Sequence, residues 1–416
     1  MSTPVGAPRL LYLVNARLPT EKAHGYQVVK MCEAFASAGC DVALWHPRRA
    51  QPSDGPGAAT VFDYYGVPPV FGVRTLANLD ARPIVDHLPP PLDAVCYSIH
   101  ALVWGFAAAL AARRRRADLY YTRDALLALW LVLLGCPTAC ELHRGASGSA
   151  RWVLRVIGQR RAFRGVVTVT DSGRRHVEQQ GIAPGRVWVA PDGVDLLMYE
   201  DLPSPGACRD LLGLPGGRPI IGYIGRLRTM DMEKGVGLLV EALGTFPDSP
   251  TAPILLCVGG PPEAASVYRT QALALGIAED RLILMDRVPN AEVPLWIRAC
   301  DVVTIPSPPT EFFARFSSPM KLFEYLAAGV PIVASDLPAL REILTHGTNA
   351  WLVAPSSASA LANGIASVLA SDRLASALGR AGKSAAASFA WSSRATGILA
   401  ACGISRGNDR RTHSIS

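Results

Sequence analysis

Short apolar runs of strand length alternate with segments of helical period from one end of this 416-residue chain to the other, and that alternation leaves few folds open. Runs apolar on both faces read as central strands of parallel sheets, and the helical segments between them as crossover connections. Residues 10–14 predict a buried strand, followed by a Pro/Gly loop over 16–25. Val28, Met31, Cys32 and Phe35 then recur at helical spacing until Gly39 stops the helix. Strands are expected at 41–45, 118–122, 138–142, 166–170 and 187–189, and the Pro/Gly/Asp-rich stretch 47–91 reads as loops and short elements. The pattern restarts after 204–217, with strands at 219–224, 254–258, 282–285, 302–305 and 332–335 and helices at 235–246, 263–275, 319–328 and 358–370. The expectation is an α/β protein of two Rossmann-like, doubly wound parallel-sheet domains: 1–203, a linker at 204–217, and 218–384. A C-terminal helix around 385–402 is expected to pack back on the first domain, and the polar tail 405–416 to be disordered.

The chain exceeds the length at which a single core stops growing, and half its residues are apolar, enough for two cores. Nine cysteines, an odd number without paired metal-ligand spacing, read as reduced and mostly buried, so no metal site is expected. Residues 1–9 lack the charged start and apolar run of a signal peptide, which predicts a cytoplasmic protein. The net charge of +7 admits a nucleic acid partner, an anionic membrane surface, or plain arginine-rich usage. The basic clusters at 113–116, 155–164 and 406–411 have little aromatic interleaving, which argues against an oligonucleotide groove and hence against nucleic acid. The apolar runs 101–112 and 125–134 fall short of the about 20 residues a bilayer requires and read as buried helices. An arginine face resting peripherally on anionic lipid at the inner membrane face is the second reading.

Chemistry concentrates in two places. Within 317–335, Ser318 is a good N-cap and Pro319 a good first helical residue, so the amides around Met320, Lys321 and Leu322 open a helix with a dipole favourable to an anion. Phosphate is the natural guest. Glu324, about a turn and a half inside, is placed to accept hydrogen bonds from ribose hydroxyls. The plainer alternative is a capped amphipathic helix with one solvated Glu. Upstream, the strand 219–224 ends in Gly225-Arg226, and Lys234-Gly235 opens the next helix, so both cations belong beyond the carboxyl end of a parallel strand, where ligands bind. Their plainer alternative is two surface charges on a loop. No Walker A pattern occurs, and no dinucleotide-type glycine motif follows the first strand.

Several stretches together resemble retaining glycosyltransferases of family 4, which have the GT-B fold with its two domains facing a central cleft. They are Ile221-Gly222-Tyr223-Ile224-Gly225-Arg226 with Lys234-Gly235, Val258-Gly259-Gly260, Asp286-Arg287-Val288-Pro289-Asn290, and the run from Pro319-Met320-Lys321-Leu322-Phe323-Glu324 to Gly329-Val330-Pro331. In the first half, Pro19 to Gly25, Tyr121-Thr122-Arg123-Asp124, Glu141-Leu142-His143 and Pro191-Asp192-Gly193-Val194-Asp195 are also similar to family elements.

The resemblance implies an enzyme that moves a sugar from a UDP- or GDP-linked donor to an acceptor hydroxyl, with no metal and no cofactor. It places the diphosphate on Arg226 and Lys234, the ribose on Glu324 and the base near Val288. Phosphate and sugar oxygens fall to the amides around Ser318, Met320, Lys321 and Leu322, a further amide to Gly25, and a contact near the reacting carbon to His143. The family commonly carries two glutamates eight positions apart. Here the first position is Phe316, with Glu311 five residues further upstream, so the identity of the sugar does not carry over. Two other functions stay open: a nucleotide-sugar epimerase of the same fold, and a catalytically silent nucleotide-sugar-binding partner, for which the missing acid is the motive.

Overall fold

The computed structural model describes residues 6–50, 60–78, 87–89, 92–146, 148–229 and 232–404. The chain divides into two compact units, Met1–Pro191 with Trp391–Ser416, and Asp192–Ala390.

In the first unit the strands are β1 (Arg9–Leu13), β2 (Asp41–Pro47), β3 (Gly72–Leu76), β4 (Leu119–Thr122), β5 (Thr138–Leu142), β6 (Phe163–Thr168) and β7 (Val187–Val189). They pair in parallel in the order β3-β2-β1-β4-β5-β6-β7. The helices are α1 (Ala23–Ser37), α2 (Val61–Tyr65), α3 (Leu92–Arg113), α4 (Ala125–Leu133), α5 (Gly148–Ile157) and α6 (Asp171–Glu178). Leu11, Leu13, Ala43 and Trp45 of the sheet form one core with Trp104, Ala108 and Ala112 of α3, and α4 continues that core toward α5.

The second unit repeats the scheme with β8 (Ile220–Ile224), the short hairpin β9 (Arg228–Thr229) and β10 (Met232–Glu233), β11 (Ile254–Val258), β12 (Leu282–Met285), β13 (Val302–Ile305), β14 (Ile332–Ser335) and β15 (Trp351–Val353). Its parallel sheet runs β12-β11-β8-β13-β14-β15. The helices are α7 (Pro205–Leu212), α8 (Val236–Gly244), α9 (Pro262–Ala274), α10 (Val293–Arg298), α11 (Met320–Ala328), α12 (Pro338–Arg341), α13 (Ala358–Leu369) and α14 (Asp372–Ala386). Each sheet therefore reverses its winding once, between β1 and β4 and between β8 and β13. Those two crevices are where a doubly wound sheet binds ligands.

The structure corrects several expectations. Residues 204–217 are not a linker: Ser204 caps a helix by accepting from the Ala207 amide, Pro205 opens it and Gly213 closes it in the left-handed region. That helix, α7, is bolted to the second unit by the buried Arg209, which donates to the Ala299 carbonyl at 2.8 Å and to Asp301 at 2.6 Å. The second unit begins at Asp192 rather than 218, and 385–390 stay with it. The strand expected at 166–170 lies at Phe163–Thr168, because Thr170 serves as the N-cap of α6. Part of the stretch 47–91 is the edge strand β3, and residues 51–59, 79–86 and 90–91 of it lie outside the described residues, as does the tail 405–416. The run 101–112 belongs to a helix of 22 residues, of which Val95–Arg113, with mean hydropathy 1.7, is long and apolar enough to cross a membrane.

The C-terminal helix Trp391–Ala401 belongs to the first unit and packs on α1. Arg394 fixes it there. Its guanidinium donates to the Pro191 carbonyl at 2.8 Å, the Ala190 carbonyl at 3.1 Å and the Glu141 carboxylate at 2.9 Å. Both members of that ion pair are buried. Removing one member of a buried pair strands the other, at a cost of about 3–5 kcal/mol. Arg394→Met is expected to destabilise the first unit by that amount in chemical denaturation, and the double variant Arg394→Met with Glu141→Gln to recover part of it.

Candidate functional site

In the second unit β8 ends at Ile224 and runs into Gly225-Arg226, next to the switch between β8 and β13. Tyr223 donates its hydroxyl to the Arg226 carbonyl at 3.0 Å and so holds this turn. Tyr325 of α11 accepts from the Ile224 amide at 2.8 Å and donates to the Ile224 carbonyl at 3.2 Å, which fastens α11 to the strand end. Lys234 arrives on the β9–β10 hairpin. Gly235, at φ +85°, turns the chain into α8, and a Cβ there would stand 1.8 Å from the Pro306 carbonyl oxygen at the end of β13. Only glycine lets the two strand ends approach so closely.

Three cations gather at this end of the sheet. Lys321 is 8% exposed and its Nζ lies 3.2 Å from the centre of the Tyr223 ring, with its tip filling the space a Cβ on Gly225 would need and no hydrogen-bond acceptor among the described residues. Burial, then the charge of Lys234, holds its pKa well below the usual lysine value, against the pull of Glu324. Burial, then Arg226, lowers Lys234 to about 8. Among the described residues no acidic side chain pairs with Arg226 or Lys234. A lysine whose folded pKa lies below its unfolded one costs stability while charged, in full below about pH 8, and the cost fades as pH rises toward about 10.5. An anion bound here would remove that cost. Glu324 stands beside Lys321 on α11, its pKa raised to about 7 by burial.

The helix start differs from its expected form. Pro319, not Ser318, is the N-cap residue of α11, and no side chain caps it. The Ser318 hydroxyl instead accepts from the Asp192 amide at 3.0 Å. Leu322 is a core residue, and its amide donates to the Pro319 carbonyl at 2.9 Å, which takes it out of the expected donor-binding set. Met320 is half-buried at the helix start. Val288 follows β12 and packs on the core cluster that holds Ile224, Leu322 and Phe323, so it shares the sheet end with Arg226 and α11. Phe316 is buried in a π-helical turn, Phe312–Phe316, while Glu311 at its start is exposed.

In the first unit His143 follows β5, and its Nε2 pairs with the Glu141 carboxylate. That carboxylate also accepts from Gln27 of α1 at 2.8 Å, from the Tyr121 hydroxyl and from Arg394. Burial alone would raise its pKa, but Arg394 and His143 outweigh it and hold the group well below the usual carboxylate range. Gly25 does not offer the free amide expected of it. Its N–H donates to the Lys22 carbonyl at 2.9 Å, and a Cβ would collide with the Tyr65 hydroxyl at 2.1 Å, a group fixed by hydrogen bonds to both backbone atoms of Thr20.

A cavity of about 290 Å³ opens at the carboxyl ends of β1 and β4, the switch point of this sheet, and Arg17, Lys22, His24, Tyr97 and Arg123 line it. Arg17 pairs with Glu21, and Arg123 donates to Gln27 at 2.8 Å, whereas the Lys22 side chain is exposed. Burial, then Arg123 and Lys22, pushes His24 down to about 3, so its imidazole is neutral. Sequence reasoning missed this cavity and the Glu141 network. The alternation of Glu141 and His143 on one strand face was the available signal for their pairing, but nothing local points from residue 141 to residue 394.

Two family models cover most of the chain: the one described as Glycosyltransferase Family 4 matches residues 25–196, and the one described as Glycosyl transferases group 1 matches 218–371. The chain is 29% identical over 254 residues to a D-inositol 3-phosphate glycosyltransferase of Xylanimonas cellulosilytica, covering 59% of this chain and 58% of that one. It is 30% identical over 261 residues to the protein of that name in Nocardia farcinica, covering 59% and 54%. The matched part thus spans little more than half the length of these relatives. The crystal structure of HepE from Anabaena in complex with UDP superposes with a TM-score of 0.69 at 18% identity, over 95% of this chain and 99% of that one. The same protein in complex with UDP-glucose gives a TM-score of 0.66 at 19% identity over 95% and 99%. The fold is GT-B, and the chain belongs to glycosyltransferase family 4.

Proposed function

We propose that this protein is a retaining glycosyltransferase that moves a sugar from a UDP- or GDP-linked donor to an acceptor hydroxyl. The observation that carries the reading is the trio Arg226, Lys234 and Lys321 beside the uncapped start of α11. Charges at a switch point with no ion-pair partner among the described residues suit a nucleoside diphosphate, and HepE, of the same fold, is seen with UDP and with UDP-glucose. In the proposed reaction the acceptor oxygen bonds to the anomeric carbon as the bond to the diphosphate breaks, on the same face of the sugar. The diphosphate leaves with the electron pair and takes the acceptor's proton. Arg226, Lys234 and Lys321 meet the charge that develops, a task this cluster performs without a metal. Glu324 takes the ribose, Val288 flanks the base, and Met320 supplies an amide at the helix start. His143, oriented by Glu141, is assigned to the catalytic set of the first unit.

The acceptor assigned to the cavity of the first unit carries an anionic group, because Lys22 and Arg123 bring positive charge to its wall while His24 stays neutral. The inositol 3-phosphate in the name of the relatives has that chemistry.

Calorimetric titration of UDP, GDP and ADP tests the donor site: one nucleotide binds, and Arg226→Ala weakens it by about a hundredfold, or about 3 kcal/mol. No binding by any of the three defeats the reading. Nucleotide binding without turnover across acceptors would favour the silent partner that Phe316 suggests, and turnover of a nucleotide sugar alone the epimerase.

The same titration has a pH signature. Binding raises the pKa of Lys234, so its contribution to affinity is constant below about pH 8 and falls by up to about tenfold per unit above it. Lys234→Met removes that slope. For the acceptor, steady-state kinetics with a phosphorylated against an unphosphorylated polyol should show Lys22→Ala raising KM about tenfold for the former alone.

A further inference from the structure

Helix α3 buries one face and leaves the opposite one bare. Ala101, Trp104, Ala108, Ala109 and Ala112 fall at helical spacing and are buried in the core of the first unit. On the other side Leu92, Val95, Ile99, Val103, Phe106 and Leu110 recur in steps of three and four, each 40 to 63% exposed. At 1.5 Å per residue this stripe is about 27 Å long, far more than the scattered exposed apolar residues of an ordinary surface. No Asp, Glu, Lys or Arg interrupts the helix between Asp93 and Arg113. At its carboxyl end Arg113, Arg114, Arg115 and Arg116 are all exposed. Helix α4 packs against both α3 and α5, and α5 adds exposed Arg151, Trp152 and Arg155.

We propose that this face is a docking surface for an anionic lipid bilayer, with α3 lying in the plane of the headgroups. Length and hydropathy alone would let the helix span a membrane, but its inner face is part of the core, and withdrawing it would expose Leu11, Leu13 and Trp45. The charge pattern selects the occupant. An apolar stripe bordered by arginines matches acyl chains bordered by phosphates, whereas a second copy of this chain, with net charge +7, would bring the same arginine clusters to the contact. The inference is independent of the donor-site reading, because its readout is lipid partition and not turnover.

The test is flotation of the full chain with vesicles of phosphatidylcholine alone and with roughly a third phosphatidylglycerol, across a salt series. The anionic vesicles are expected to carry the protein about tenfold more strongly than the neutral ones, and less so as salt rises. Ile99→Glu with Val103→Glu should lower that partition at least about tenfold, and Arg114→Glu with Arg115→Glu should lower it for anionic vesicles only. All four side chains are exposed, so unchanged melting would show that the variants fold. Absence of binding to anionic vesicles, or binding that neither variant reduces, overturns the proposal. So does a concentration-dependent dimer that Ile99→Glu with Val103→Glu abolishes while the wild type ignores vesicles.

Discussion

Glu141 reaches into the first unit near the end of β5 with none of its side chain open to water, and the groups that converge on it come from widely separated parts of the chain. Gln27 belongs to α1, Tyr121 to β4, His143 to the turn after β5 and Arg394 to the C-terminal helix. A buried carboxylate is tolerable only when its lone pairs are filled, and here they are filled by donors that thereby fix each other. One ion pair thus closes the first unit around a helix contributed by the far end of the chain. It also sets the ring of His143, the one residue of the proposed catalytic set in this unit. Stability and site geometry share an origin, so a defect in the pair would reach both.

The second unit works by the opposite device. Where Glu141 is satisfied, Arg226, Lys234 and Lys321 have no ion-pair partner among the described residues, and burial together with their mutual repulsion pushes the two lysines toward neutrality, against the pull of Glu324 on Lys321. The fold supplies the rigidity that holds these charges in place. Tyr223 and Tyr325 peg the end of β8 to its own turn and to α11, and Gly235 lets Lys234 close against the end of β13. An anion entering this corner meets donors already in place, which is how a preorganised site stabilises charge in a transition state at little reorganisation cost.

Much of this framework is legible in the residue order. Strands buried on both faces appear as largely apolar runs, so β11, β13 and β14 fall where the runs fall. The edge strand β3, with Gly72 and Arg74 exposed to solvent, carries no such run, and β15 is only three residues long. The punctuation of α7 was present in Ser204, Pro205 and Gly213, but within a Pro/Gly-rich stretch the same residues read as a linker. Sequence also overstated two backbone roles. Ser318 and Gly25 have the residue types of a cap and of an open phosphate-binding turn, but the Ser318 hydroxyl is taken by the distant Asp192 amide, and the Gly25 amide is spent on the Lys22 carbonyl within its own turn. Long-range contacts of this kind leave no local trace, and neither does the tie from Arg394 to Glu141.

Phe316 brings the two halves of the argument together. It is buried in a turn whose nearest acid, Glu311, is exposed, so nothing in that turn restores the carboxylate that the family commonly has there. In the proposed reaction that acid would orient sugar hydroxyls, whereas the charge that must be stabilised as the bond breaks develops on the diphosphate. The three cations that answer that charge come from the strand end, the hairpin and α11, none of which includes position 316. Loss of the acid therefore bears on which sugar is held and leaves the stabilisation of the leaving group in place.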